Sequence, residues 1–172
     1  MSLYEETVPA FARMLDSVGG WLDSAERFAE QKRFAPEVLL SCRLAPDMFP
    51  LVRQFQIVCD TTKFTLARVT AKTPPSHADD ETTFAQVRQR LAAATEYVTS
   101  FHEADFAGCE ERMIALPRYP GQLIKAPNYV RQMQLPNFYF HATTAYAILR
   151  HNGVELGKSD FFGPIAFVPA PG

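Results

Sequence analysis

The sequence predicts an all-α domain built as a four-helix bundle, and three observations carry that expectation. Apolar residues recur at helical spacing over several long segments. The 13 prolines and 8 glycines gather at the joints between them, as residues costly inside helices do. A length of 172 residues suffices for one domain with a real core, whereas two would each lie near the lower limit of independent stability. Four helices of about 20 residues bury their stripes most economically against one another.

Between Pro9 and Pro36, Phe11, Met14, Leu15, Val18, Leu22, Ala25 and Phe28 share a helical face, predicting a first helix that runs through Gly19 and Gly20. Val38 to Leu44 is a short apolar turn leading to a second helix, with Asp47 as its cap and Pro50 in its first turn. From there to Thr70, Leu51, Phe55, Val58, Thr62, Leu66 and Val69 form one face. Beyond the loop with Pro74 and Pro75, Thr83 and Gln86 have the spacing of a capping box, in which hydroxyl and amide satisfy two unpaired backbone donors. The third helix follows with Phe84, Val87, Leu91, Ala94, Val98 and Phe101, and stops before Gly108.

Arg112 to Leu116 and Gln122 to Ala126 are short extended candidates flanking the turn-rich Pro117 to Gly121, so a small β-hairpin is expected in the long connection between helices three and four. The fourth helix starts near Pro127, kinks at Pro136 and ends at Asn152 and Gly153 in a left-handed cap. The tail beyond Lys158 reads as loop, tied to the bundle surface by Lys158 and Asp160. Residues 1–172 read as a single domain.

Composition excludes several classes. A hydrophobic fraction of 47%, a charged fraction of 21% and a net charge of -2 are those of an ordinary globule and exclude a disordered chain. A pI near 6.1 without a block of Lys and Arg argues against nucleic acid as a partner. Met1 to Ala10 carries Glu5 and Glu6 but no basic region, and no segment is apolar enough to span a bilayer, so a cytoplasmic protein without membrane contact is expected. Cys42, Cys59 and Cys109 form no CxxC pair and read as free, buried thiols.

Chemistry concentrates in the fourth helix. Asn137, His141, Thr144, Ala145 and Ile148 share a face, flanked by Phe138, Tyr139, Phe140 and Tyr146. That helix is apolar nearly all round, so an imidazole and an amide on it need hydrogen-bond partners or a ligand. On the second helix, Gln56 stacks with Cys59, Asp60 and Lys63 and is the candidate to face His141. The expected ligand-binding set is Gln56, Asp60, Asn137, Tyr139, His141 and Tyr146, lining a pocket inside the bundle for a small polar ligand. His141 would act as base, Gln56 and Asn137 would orient the substrate, and Tyr139 or Tyr146 could donate a proton.

The run from Leu135 to Gly153, LPNFYFHATTAYAILRHNG, resembles an uncharacterised bacterial domain-of-unknown-function family of the DinB-like, or YfiT-like, metalloenzyme superfamily, as do Leu44 to Pro50, LAPDMFP, and the opening Ser2-Leu-Tyr. The resemblance implies a four-helix bundle with a long crossover connection, a homodimer, and a divalent metal held by three histidines. One of these comes from the second helix and two from an HxxxH pair on the fourth. It also implies thiol-cofactor transferase or isomerase activity in some members. Counting back from Gly153, His141 matches the second histidine of the pair, Asn137 stands at the first, and the second-helix position falls at Gln56. One imidazole of three remains, and amide oxygens are poor substitutes on a transition metal. The expectation is therefore a degenerate site that binds a small molecule without zinc or nickel, with a metal held at His141, or a metal- or thiol-dependent transferase, as the alternative.

Other motifs carry less. Gly153 to Ser159 is one residue short of a phosphate-binding loop and follows a helix end instead of a strand. Cys59 would be a nucleophile only if a basic neighbour such as His141 lowered its pKa. His77 and His102 read as solvated, His151 as a dipole partner in the last turn, and Arg13, Arg27, Arg53, Arg68, Arg88 and Arg90 as solvated faces.

Overall fold

The computed structural model describes residues 1–170. Helix α1 (Leu3–Lys32) starts well before the stripe that predicted it, because Ser2 and Glu5 form a capping box. Pro9 lies inside this helix at an exposed position, where the carbonyl it leaves unbonded faces solvent. The apolar turn is α2 (Glu37–Leu40). Helix α3 (Leu51–Thr70) begins directly after Pro50, which is its N-cap. Asp47 is exposed and caps nothing, since the chain enters the helix in the extended conformation fixed at Pro50. The Thr83/Gln86 box opens α4 (Phe84–Thr99) as predicted.

Two 3-10 turns, Glu103–Phe106 and Cys109–Glu111, lead into strands β1 (Met113–Ala115) and β2 (Leu123–Lys125), antiparallel with Ile114 opposite Ile124. The last long helical run comprises α5 (Ala126–Asn128), a π-helical turn (Tyr129–Gln134) and α6 (Leu135–His151). On the N-terminal side of Pro136 the helix widens into that π-helical turn, one way a helix accommodates a missing amide. Gly153, at φ 95°, closes α6 as expected. Val154 N–H bonds Leu149 C=O at 3.0 Å and Gly153 N–H bonds Arg150 C=O at 3.1 Å, the pairing of a Schellman motif. A Cβ at Gly153 would meet the Phe28 ring at 3.1 Å.

The tail is not all loop. It forms α7 (Lys158–Phe162), capped where the Gly157 amide donates to the Asp160 carboxylate. Trp21 Nε1 donates to Asp160 C=O at 2.9 Å and the Phe161 ring stacks on Trp21, so the tail is fastened by a backbone carbonyl and an aromatic pair.

Helix α3 packs on both α4 and α6, and α1 completes the square against the same two helices. Contacts run in step from Glu6–Arg131 to Trp21–Tyr146, making α1 and α6 parallel. They run in opposite senses from Gln54–His141 to Arg68–Tyr129, making α3 and α6 antiparallel. Helices α3 and α4 are parallel, with Asp60 beside Arg90 and Thr73 beside Tyr97. Parallel neighbours need a connection that returns along the bundle, and residues 71–83 supply it as the long crossover. Among the described residues no helix is long and apolar enough to cross a membrane.

Arg90 fixes the crossover. Its side chain is 2% exposed and meets Asp60 at 2.6 Å, Asp79 at 2.7 Å and Glu81 at 2.9 Å. Lys63 adds a pair with Asp60 at 2.7 Å and a hydrogen bond to His77 Nδ1 at 2.9 Å. Neither Arg90 nor His77 is the solvated residue expected: the crossover lies over the α3–α4 seam and covers Arg90, and His77, itself on the crossover, is half-buried against Lys63. Arg88 bridges to Asp23 and Glu26 on α1.

Removing one partner from a buried ionic cluster leaves uncompensated charge, so Arg90→Ala should lower unfolding free energy in urea by about 3 kcal/mol. A loss under about 1 kcal/mol, the range of an exposed pair, would contradict this role. Burial pushes the Glu81 carboxyl up, but hydrogen bonds from Arg90 and Gln56 outweigh it and leave its pKa below the usual carboxylate value. The resulting stability is complete above about pH 4.3 and disappears as pH falls through the lower folded value. Glu81→Gln should therefore flatten the acid limb of a stability–pH curve, and an unchanged limb would refute the assignment.

Candidate functional site

The polar stripe of α6 faces α3. His141 Nδ1 lies 2.7 Å from Gln54 Oε1, Asn137 Nδ2 donates to Thr61 Oγ1 at 3.0 Å, and Thr65 Oγ1 donates to Gln134 Oε1 at 3.3 Å. Arg68 extends the series by donating to the Tyr129 hydroxyl at 2.7 Å. On α3 these partners are spaced by seven, four and three residues, which is one helical face.

Gln56 is two residues from Gln54, about 200° around the helix, and so lies on the opposite side of α3 from His141. Its amide accepts from Arg53 at 3.0 Å and donates to Glu81 at 2.7 Å. Asp60 shares that side, held by Arg90 and Lys63. Tyr146 donates to Leu156 C=O at 3.2 Å, with its ring on Trp21 and Phe161. Tyr139 lies against α1 and the tail. Of the six residues expected to converge, only Asn137 and His141 lie on the α3–α6 surface. Gln56 and Asp60 belong to the crossover, and the two tyrosines to the α1 and α7 side. The expectation of Gln56 opposite His141 is thus corrected to Gln54. Its spacing to Thr61, Thr65 and Arg68 is the signal in the sequence that points to it.

The imidazole is oriented by a relay. Gln54 Nε2 donates to Phe49 C=O at 3.0 Å, which turns Oε1 towards His141, and an amide oxygen can only accept. The ring therefore donates from Nδ1–H and keeps a lone pair on Nε2. Nε2 has no partner among the described residues, and His141 retains 9% exposure. The exposed Phe140 ring stands perpendicular to the imidazole, 5.1 Å between centroids. Burial, assisted by the Arg53 charge, holds the His141 pKa below the ordinary histidine value.

The donor set does not fit the three-histidine centre that the resemblance implied. Gln56 is turned away with both amide atoms engaged, the Asn137 amide donates to Thr61, and one imidazole remains. Among the described residues no three His, Cys, Asp or Glu side chains are grouped to hold a metal ion. Cys59 is no nucleophile either: burial pushes its thiol up to about 12, so it stays protonated.

Residues 3–162 match the family model of a domain of unknown function, DUF1993. The chain belongs to this family. This DUF1993 chain is also similar to a crystal structure of a DinB family member protein from Shewanella denitrificans. The two are 47% identical, with a TM-score of 0.94 over 98% of this chain and 96% of the other. No curated protein matches the DUF1993 chain. The resemblance carried by the α6 run is thereby established, and with it a DinB-like helical bundle.

In this DUF1993 protein, NMR titration of the His141 ring should give a midpoint below about 6.5. Arg53→Gln should raise it by removing a nearby positive charge. A wild-type midpoint at or above the ordinary value would contradict the effect of burial and of the Arg53 charge.

Proposed function

We propose that this DinB-like protein binds a small polar ligand through His141 without the superfamily's metal chemistry. The observation that supports this reading is the Phe49–Gln54–His141 relay, which holds a neutral imidazole in one tautomer and leaves Nε2 as an acceptor. Nε2 is not among the buried unpaired atoms, so it opens to solvent and can be reached by a ligand. Asn137 lies one turn before His141 on the same face, and its Oδ1 has no partner among the described residues. Two acceptors on adjacent turns match a ligand with hydroxyl, thiol or amine donors.

The same atom supports a second reading. A neutral imidazole fixed in one tautomer is suited to act as a general base towards a thiol or hydroxyl, as in a thiol-dependent transferase. A homodimer is the assembly that this reading takes from the family resemblance.

A thermal-shift screen with small thiols and hydroxy acids, with a parallel zinc chloride series, tests the proposal. At least one organic compound should stabilise the wild type, by about 2.7 kcal/mol at a hundredfold excess over Kd, and leave His141→Ala unmoved. A screen in which nothing stabilises the wild type, or in which both proteins respond alike, would remove the support. Stoichiometric zinc that disappears in His141→Ala would return the site to metal chemistry.

A further inference from the structure

A second candidate site lies on the other side of α6. After α7 the chain turns back across α1 at Gly163, which adopts φ 66°. A Cβ there would sit 2.9 Å from Ser17 Oγ and 3.5 Å from Arg13 Cγ, so glycine permits both the conformation and the close approach. The strap beyond Gly163 carries Ile165 over a cleft of about 420 Å³ between α1, α6 and the tail. Its apolar wall is formed by Ala10, Met14, Phe161, Phe162 and Ile165. Its polar groups are Arg13 and Tyr139.

Both polar groups are available. Among the described residues no carboxylate lies within ion-pair distance of Arg13, and neither its guanidinium nor the Tyr139 hydroxyl makes a hydrogen bond. Asp16, one turn along α1, does not pair with Arg13, and Glu6 is taken by Arg131. An apolar concavity of this volume, with two hydrogen-bonding side chains in its lining, has the form of a small-molecule site. The charge selects the ligand: one cation and one phenol on the same cleft, both without partners among the described residues, match the two oxygens of a monocarboxylate. A dianionic phosphate would leave charge uncompensated against the aromatic wall.

We propose that this cleft binds a small amphipathic monocarboxylate, its apolar body against Met14, Phe161, Phe162 and Ile165, and its carboxylate on Arg13 and Tyr139. The site is independent of His141. Tyr139 and His141 are two residues apart and point to opposite sides of α6, the one towards α1 and the tail, the other towards α3. It also has a built-in reporter. Trp21 is the only tryptophan, and its ring stacks on Phe161 with 5.6 Å between centroids, so a ligand that shifts Phe161 changes the indole environment.

The test titrates the full-length protein with octanoate, reading Trp21 fluorescence and heat by calorimetry in parallel. Octanol serves as the uncharged twin, and variants Arg13→Gln, Tyr139→Phe and Arg118→Gln are compared. Arg118 is exposed at the hairpin and controls for the loss of one positive charge. Saturable octanoate binding is expected, weakened about tenfold or more in R13Q, less in Y139F and not in R118Q, with octanol weaker than octanoate and indifferent to R13Q. Since Arg13 is exposed, R13Q should keep the wild-type circular dichroism and melting profile. Absence of saturable heat and fluorescence change in the wild type would overturn the proposal. So would equal affinity for octanol and octanoate, or equal octanoate affinity in R13Q and the wild type.

Discussion

Helix α3 is buried on two opposite sides, and every polar group it carries there has to be paired. Gln54, Gln56, Thr61, Lys63 and Thr65 are all buried on it, an unusual load for a helix at the centre of a domain. One side faces α6, the other faces α4 and the crossover. A helix of 3.6 residues per turn cannot aim residues two apart at the same neighbour, so these groups separate into two sets. The first set orients His141. The second anchors the crossover, and through it the unusual order in which α3 and α4 run parallel.

The two sides differ in chemistry for a physical reason. Towards α6 the buried partners are neutral amides, hydroxyls and one imidazole, which can be buried with little penalty once hydrogen-bonded, and the one cation of that face, Arg68, is only half-buried at its end. Towards the crossover they are ions: three cations, Arg53, Lys63 and Arg90, against three carboxylates, Asp60, Asp79 and Glu81. The balance of sign lets Arg90 sit almost out of water, although its Nε lacks a partner among the described residues. Because the loop supplies two of the carboxylates, crossover and bundle depend on each other.

Much of the fold is legible in the sequence because it is encoded locally. The Thr83/Gln86 box, the paired extended segments around Pro117 to Gly121 and the Gly153 stop each act within a few residues, and each is present in the structure. The start of α1 is hidden because Pro9 draws attention from the Ser2/Glu5 cap ahead of it. Helix α7 is not legible because its stability comes from Trp21, far along the chain, and Arg90 reads wrongly as solvated because its exposure depends on what the crossover covers. The candidate site is only half legible for the same reason at finer scale. Periodicity shows that α3 has polar faces but not which of them meets α6, since that depends on the register between two helices distant in sequence. His141 and Asn137 can be found on their own helix, whereas the partner across the interface is Gln54 and not Gln56.

In the proposed function, the decisive group is a neutral imidazole with one nitrogen unpartnered among the described residues. Nitrogen-15 correlation spectroscopy of the His141 ring at neutral pH reads that state directly. The structure predicts a proton on Nδ1 and the resonance of an unprotonated nitrogen at Nε2, with the preference lost in Gln54→Ala. A proton found on Nε2, or on both nitrogens, would contradict the relay from Phe49 through Gln54 and with it the reading of His141 as an open acceptor.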